Sequence, residues 1–110
     1  MDCIFCKIAA GEIPSKKVYE DDTVLAFYDI QPAAPVHILV IPKAHISGCC
    51  DVTAENSGII AHIFEVIAKI TADLGVTDYR VVSNNGTEAG QTVFHLHFHI
   101  LGGRPLKGMC

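Results

Sequence analysis

Three histidines alternate with apolar residues near the end of this chain, at His95, His97 and His99. Successive side chains of a β-strand point to opposite faces of the sheet. A strand would therefore place all three imidazoles on one face, about 6.6 Å apart along the chain. Its other face would carry the apolar residues Phe94, Leu96, Phe98 and Ile100. The spacing predicts a strand with one face for packing and one for chemistry.

Imidazole side chains support several kinds of chemistry. A neutral imidazole acts as a nucleophile, as a general acid or base, or as a metal ligand. The glycine-rich segment 86–90 and Gln91-Thr92 precede the histidines, which suggests a pocket where phosphate meets imidazole. On these residues alone a metal site, imidazole catalysis and a polar sheet face without chemistry all stay open.

A pair of cysteines at Cys3-x-x-Cys6 is the second candidate for chemistry. By itself the spacing is a weak signal, and redox, metal-binding and inert roles are all open. The five cysteines are an odd number, and no export signal precedes them, so we expect no disulfide framework. Cys49, Cys50 and Cys110 are expected to be free thiols.

Two helices and five strands are predicted to position these residues. A short helix is expected over residues 2–10, with Asp2 as its N-cap and Ile4, Phe5 and Ile8 on one face. A long amphipathic helix is expected over residues 53–74, capped by Asp51 or Thr53 and ended by Gly75. The predicted strands are residues 17–20, 23–29, 37–41, 79–84 and 93–101. Most connections are too short for parallel crossovers, which predicts an α+β fold with a mainly antiparallel sheet and helices on one face.

Length, hydropathy and charge limit the class of protein. The chain has 110 residues, which fits one domain over residues 1–110. Half of its residues are hydrophobic and the mean hydropathy is +0.36, so we expect a second subunit to cover part of the apolar surface. The net charge of −4, without a basic run, argues against a nucleic-acid partner but not against one small phosphate ester.

Targeting signals and membrane spans are not evident in the sequence. The first residues lack a charged region followed by a long apolar stretch. No apolar run approaches the ~20 residues that cross a bilayer. We therefore expect a cytoplasmic protein without a membrane partner.

The sequence resembles the histidine triad (HIT) family, in its Hint-like branch. Residues 95–101 match the family signature, in which three histidines alternate with apolar residues, at every position. Residues 26–30, 35–43, 72–75, 90–93 and 101–105 resemble flanking segments of the same branch in the same order. The resemblance implies the HIT-like fold and a dimer that joins two sheets into one through the long helix and adjacent strands.

The resemblance also implies an activity on nucleotides. Members hydrolyse or transfer at the α-phosphate, typically of purine nucleoside 5′-phosphoramidates related to AMP or GMP. Carried over, His97 is the nucleophile and His99 contacts the phosphate and helps protonate the leaving group. The His37 backbone carbonyl is expected to fix the tautomer of His97. Catalysis by this route requires no metal.

Further site residues follow from the same resemblance. Asn84, Gln91 and Thr92 would bind phosphate or orient the leaving group, and Asp29 would hold the ribose hydroxyls. The expected base pocket consists of Phe5, Ile8, Ile13, Phe27, Ile30 and Leu39. Many bacterial-type members hold a structural zinc ion, and the matching ligands here are Cys3, Cys6, His45 and His95. Such a Cys₂His₂ set is a closed tetrahedral site.

Two departures from the branch affect the expected substrate. Thr92 stands where serine is common, and residues 106–110 lack the usual tryptophan-containing ending. Two other functions stay open: a dinucleoside polyphosphate hydrolase or nucleotidyl transferase, and a mainly non-catalytic nucleotide-binding regulator. His62, in the long helix, is expected to be a surface or interface residue.

Overall fold

The computed structural model describes residues 3–108, which form a five-stranded antiparallel sheet and two α-helices. The helices are α1 (Ile4–Ala9) and α2 (Ser57–Leu74). The strands are β1 (Lys17–Glu20), β2 (Val24–Tyr28), β3 (Val36–Pro42), β4 (Tyr79–Val82) and β5 (Phe98–Gly102). Their order in the sheet is β1-β2-β3-β5-β4. The predicted α+β class, with a short N-terminal helix and one long helix, is confirmed.

The two helices cover opposite faces of the sheet. Val24 and Ala26 of β2 belong to the core under α2, whereas Leu25 and Phe27 belong to the core under α1. All four side chains are buried, so both faces of this strand need a cover. The expectation that the helices cover one face is therefore wrong.

Helix α2 begins later than predicted because the preceding residues form a separate turn. The Asn56 side chain accepts a hydrogen bond from the Thr53 backbone N–H at 2.7 Å and donates one to the Asp51 carbonyl at 3.1 Å. Asn56 itself occupies the N-cap position, so the predicted caps at Asp51 and Thr53 are wrong. Gly75 ends the helix as predicted, with a left-handed φ of 70°.

Strand β5 is shorter than the predicted segment 93–101. It begins at Phe98, so His95 and His97 lie in a bent segment before the strand and only His99 is part of it. The backbone of this segment bonds to the chain after β3, through the Leu96 N–H and the Ile46 carbonyl, and not to a strand ladder. Phe94 is half exposed, contrary to the prediction that it packs with Leu96.

The other strand and helix ends differ less from the prediction. Strand β4 ends at Val82, two residues before the predicted end. Cys3 occupies the N-cap position of α1, and its Sγ accepts a hydrogen bond from the Cys6 backbone N–H at 3.3 Å. The predicted cap, Asp2, lies outside the described residues. Phe5 is buried beneath α1 as expected, but Ile4 is half exposed. Within residues 3–108 no helix is long and apolar enough to cross a membrane.

A partly exposed pair of His62 and Asp21 joins α2 to the hairpin of β1 and β2. Asp21 accepts hydrogen bonds from the backbone N–H groups of Thr23 and Val24, each at 2.8 Å. The Tyr19 hydroxyl donates to the same carboxylate at 2.8 Å, and His62 Nε2 lies 2.6 Å from Asp21 Oδ2. The hydrogen bond to Asp21 raises the pKa of His62, while these donors lower the pKa of Asp21.

The His62–Asp21 pair predicts a pH-dependent contribution to stability. A raised pKa in the folded state stabilises below the ordinary value of 6.5, and this gain is lost as pH rises through the raised pKa. The lowered pKa of Asp21 stabilises above its ordinary value of 3.8. Urea unfolding of the wild type and of His62→Gln should therefore differ most between about pH 4 and 6.5. A difference that grows above pH 7 would contradict this assignment.

Candidate active site and metal centre

Five imidazole rings form a row on the side of the sheet that α1 covers. Ring centroids lie 5.0 Å apart for His45 and His95, 5.0 Å for His97 and His99, and 5.1 Å for His37 and His99. The Phe5 ring contacts both His95 and His97 edge-on, at centroid distances of 6.0 and 5.1 Å. Phe5 thus separates a cysteine-containing end of the row from an end with three histidines.

The tautomer of His95 follows from one hydrogen bond. Its Nε2 lies 2.7 Å from the carbonyl oxygen of Pro42, and a carbonyl oxygen can only accept. Nε2 therefore carries the proton, and the lone pair is on Nδ1, which faces Cys3 Sγ at 3.3 Å and Cys6 Sγ at 3.5 Å. Burial lowers the pKa of His95, which keeps the ring neutral and able to bind a metal.

His97 has the opposite tautomer. Its Nδ1 lies 2.7 Å from the His95 carbonyl oxygen, so Nδ1 donates and Nε2 keeps a free lone pair. The prediction that the His37 carbonyl fixes this tautomer is wrong, because His97 Nδ1 pairs with the His95 carbonyl, while the His37 oxygen accepts from the Asp29 backbone N–H at 3.0 Å. The bend before β5 turns the carbonyl of His95 towards the ring two residues later.

The tautomer of His99 is determined by two further hydrogen bonds. The backbone N–H of Ala33 donates to His37 Nδ1 at 2.9 Å, so the proton of neutral His37 is on Nε2. His37 Nε2 lies 2.9 Å from His99 Nδ1 and donates to it. The remaining proton of His99 is therefore on Nε2.

Burial keeps the rings of His37 and His99 neutral. Desolvation lowers the pKa of His99 to about 4, and the charges of His97 and His37 act in the same direction. Desolvation also lowers the pKa of His37, opposed by the nearby Asp29 carboxylate. Near pH 7 each ring therefore carries one proton, and the hydrogen bonds decide which nitrogen holds it.

Asp29, His37 and His99 have a spacing that would also suit a metal ion, with ligand atoms within 4.8 Å of one another. The hydrogen bonds argue against that use. A metal at His37 Nε2 would move the proton to Nδ1, where it would face the Ala33 N–H donor. These residues are better described as a hydrogen-bond relay.

Cys3, Cys6, His45 and His95 form the cluster at the other end, with ligand atoms within 4.8 Å of one another. Cys6 Sγ lies 3.2 Å from His45 Nδ1, and Cys3 Sγ lies 3.3 Å from His95 Nδ1. A tetrahedral zinc ion with usual bond lengths places sulfur and nitrogen ligands about 3.6 Å apart. The donor types, their spacing and the free lone pair of His95 fit a zinc ion.

The glycine-rich loop after β4 holds two of the predicted phosphate ligands. Among residues 3–108 the Asn84 side chain makes no hydrogen bond to the protein, and its amide faces the loop next to Gly90. Gln91 is buried, and its amide donates to the carbonyls of Ser47 and Val93 while its oxygen accepts from the Gly86 N–H. Because both amide hydrogens are engaged, the prediction of a phosphate-binding side chain at Gln91 is not supported. Gln91 instead stabilises the loop through these hydrogen bonds.

Thr92 is exposed at the mouth of a pocket of about 500 Å³ beside the cysteine cluster. The same pocket is lined by Cys3, Ile4, His45, Ser47, Val93 and Phe94. Thr92 therefore stands between the glycine-rich loop and an open, partly apolar space.

Most of the predicted base pocket is brought together beneath α1. Phe5, Ile8, Phe27 and Leu39 belong to one buried cluster, and Ile13 packs against it. Ile30 is 95% exposed and does not join them. Asp29 lies close by at the end of β2, where its Oδ2 is 3.5 Å from His37 Nε2 and its Oδ1 accepts from the Gln31 N–H at 2.7 Å.

Two groups at this site are absent from the sequence-based set, and a third, His37, was predicted for its backbone carbonyl and not for its side chain. The side chain of His37, the backbone N–H of Ala33 and the hydroxyl of Ser83 all contact catalytic candidates. Ser83 Oγ donates to the His97 carbonyl at 2.8 Å. The sequence did contain a signal for the His37 side chain. It is a histidine in β3, the strand that lies beside β5. No sequence signal points to a backbone amide or to Ser83.

Comparison with known proteins agrees with this geometry. A family model described as the HIT domain matches residues 10–106. The chain belongs to the HIT family. It is 46% identical to the purine nucleoside phosphoramidase of Escherichia coli over 110 residues, covering 98% of this chain and 92% of that protein.

Solved structures show the same HIT fold. A histidine triad protein from Clostridium difficile is 55% identical and superposes with a TM-score of 0.95 over 98% of this chain and 96% of that one. A HIT family hydrolase from Legionella pneumophila is 45% identical, with a TM-score of 0.94 over 96% of each chain. The names of these HIT relatives support a hydrolase.

Proposed function

We propose that this HIT protein hydrolyses purine nucleoside 5′-phosphoramidates at the α-phosphate through a nucleotidyl-histidine intermediate. The observation that carries the proposal is the opposite protonation of two neighbouring rings. His97 offers a lone pair at Nε2, and His99, 5.0 Å away between centroids, offers a proton at Nε2. A nucleophile and a proton donor side by side are what displacement of an amine from phosphorus requires.

The first step forms one bond to phosphorus and breaks another. His97 Nε2 gives its lone pair to the α-phosphorus, and the bond from phosphorus to the amine nitrogen breaks with its electron pair on that nitrogen. The nitrogen accepts a hydrogen bond from His99 Nε2–H and takes one proton from the solvent, because loss of the only proton of neutral His99 would leave an imidazolate. The positive charge that develops on the His97 ring is stabilised by the hydrogen bond from Nδ1–H to the His95 carbonyl.

The second step returns the enzyme to its starting state. The oxygen of water attacks phosphorus, and the water releases one proton to the solvent, which balances the proton taken up in the first step. The bond from phosphorus to His97 breaks, and the nucleoside monophosphate leaves. Each histidine regains the protonation that its hydrogen bonds favour.

The remaining groups are suited to hold the nucleotide. The purine would pack against the outer side of the apolar cluster beneath α1, and Asp29 at its edge would bind the ribose hydroxyls. The Asn84 amide and the loop 86–90 would contact the phosphate, and Thr92 would face the leaving group. Phe5 belongs to the cluster and contacts His97, so the same ring would contact both the base and the reacting histidine.

Zinc would be held by Cys3, Cys6, His45 and His95. The four ligands leave no position for water, so the ion would supply structural stability and no reaction chemistry. It would fix the start of α1 to the segment that carries His97.

A dimer is also part of the proposal. Strand β4 forms one edge of the sheet, and an uncovered edge can pair with a second copy. Phe64, Leu74 and Tyr79, on α2 and around β4, are 39–49% exposed. Light scattering after gel filtration should give twice the mass of one chain, and a monomer at micromolar concentration would contradict the dimer.

Incubation with adenosine 5′-phosphoramidate tests the activity. We expect release of AMP and ammonia, and slower release from cytidine 5′-phosphoramidate because a pyrimidine fills less of the apolar cluster. Acid-free quenching during turnover should show a chain heavier by one nucleotidyl group. A preference for diadenosine polyphosphates would favour the other hydrolase of the superfamily, and no turnover of either would favour a binding protein.

A further inference from the structure

We propose that the backbone amide of Ala33, held in place by Arg104, is the positioning group that decides which nitrogen of His99 carries a proton. The kinetic part of this inference rests on the proposed function, but its structural part does not. Neither residue touches the phosphate. Both act through the direction of the hydrogen bond between His37 and His99.

The hydrogen bond between the two rings has two possible directions. His37 Nε2 and His99 Nδ1 lie 2.9 Å apart, and either nitrogen could donate to the other. In one direction the outer proton of His99 is on Nε2. In the other direction His99 Nε2 is bare and has no proton for a leaving amine.

The Ala33 amide selects the first direction. It lies 2.9 Å from His37 Nδ1, and a backbone N–H can only donate. The opposite direction would place the Nδ1–H of buried His37 against the Ala33 N–H, so the His37 donor would have no acceptor. An unsatisfied buried donor costs about 1–3 kcal/mol, which corresponds to a preference of roughly 5- to 150-fold.

The loop that carries Ala33 is held by the segment after β5. Arg104 Nη2 donates to the Ala33 carbonyl at 3.1 Å. Gly103 lies so close that a Cβ there would be 2.9 Å from Pro35 Cβ. Residues 103 and 104 therefore contact the loop that presents the Ala33 amide, and Arg104 lies 71 positions along the chain from Ala33.

Ala33→Pro removes this N–H and fixes φ at position 33, whereas Ala33→Ser keeps the N–H. Ala33 is exposed, so neither side chain displaces a core residue. Long-range ¹H–¹⁵N spectra of the wild type should show His37 and His99 protonated at Nε2, with a coupling across the hydrogen bond from the Ala33 amide to His37 Nδ1. Ala33→Pro should populate both tautomers of His99, and Ala33→Ser should not.

Kinetic measurements distinguish loss of the positioning hydrogen bond from a general loss of active, folded protein. Without the Ala33 N–H the two directions become similar in free energy and about equally populated, so turnover of the phosphoramidate should fall about 2-fold. Hydrolysis of the p-nitrophenyl ester of AMP should change much less, because p-nitrophenolate leaves without a proton. Arg104→Ala should also populate both tautomers of His99 and lower turnover of the phosphoramidate, as Ala33→Pro does. Arg104→Lys should restore part of the wild-type tautomer and turnover.

Several results would overturn the proposal. Protonation of wild-type His37 at Nδ1 would do so even if Ala33→Pro failed to fold, and even if the protein hydrolysed no phosphoramidate. Unchanged tautomers in Ala33→Pro, or equal losses with both substrates, would also contradict it. Arg104→Ala with wild-type spectra would remove Arg104 from the assignment.

Discussion

Replacing His97 by alanine is expected to lower kcat/KM for adenosine 5′-phosphoramidate by about 10⁴-fold or more. The ring is the one histidine of the triad whose Nε2 lone pair is left free by its own hydrogen bond, which runs from Nδ1 to the His95 carbonyl. Without it no nucleotidyl group can be transferred to the chain. Steady-state release of AMP and the mass of the quenched protein measure both consequences.

His62→Ala is the matched control for this experiment. It removes another histidine, but one that lies on α2 and pairs with Asp21 away from the ring cluster. We expect its kcat/KM to stay within about 2-fold of the wild type under conditions where it is folded. A His97→Ala protein that retains turnover, or that still becomes nucleotidylated, would show that the nucleophile lies elsewhere.

Zinc is expected to raise the melting temperature by about 15 °C or more. Free zinc at a thousand times its Kd stabilises the folded state by about 4 kcal/mol, and about 4 °C accompanies each kcal/mol in a domain near 100 residues. The four ligands come from α1, the chain after β3 and the segment before β5, so the ion would join three parts of the fold. Scanning calorimetry with and without a chelator measures the shift.

Cys50→Ser and Cys6→Ser form a matched pair for the zinc prediction. Cys50 is exposed outside the cluster, and its replacement should leave the zinc-induced shift intact. Cys6→Ser removes one sulfur ligand and should abolish most of the shift, with about one zinc ion per chain in the wild type and little in the variant. Equal zinc content in the two variants would place the ion at another site.

The sequence alone was sufficient for the antiparallel α+β fold, and it named most of the residues that the structure brings together at the candidate site. Alternation in residues 95–101 identified a packing face and a chemical face, and the structure buries Leu96, Phe98 and Ile100 on one side. It also brings Cys3, Cys6, His45 and His95 together, although His95 lies 92 positions from Cys3. Residue types and the family signature contained this information because ligands and core residues must have particular chemistry.

The sequence did not predict which face of the sheet each helix covers. Four consecutive buried residues in β2 show that both faces are covered, but the sequence of a short α1 does not say on which face it lies. The late start of β5 depends on a hydrogen bond between Leu96 and Ile46, and such a contact between distant residues leaves no local pattern.

The three histidines were equivalent as a sequence pattern and became different only in the folded chain. Residue type and spacing determined that imidazoles would share one side of the sheet. The tertiary structure decided that His95 and His99 carry their proton on Nε2 and His97 on Nδ1. The physical reason is that a neutral imidazole has one proton, and its position depends on the neighbouring carbonyl or amide. The carbonyls of Pro42 and His95 act on His95 and His97 directly, and the Ala33 amide acts on His99 through the His37 side chain. These backbone groups are placed by the fold, and residue type gives no information about them.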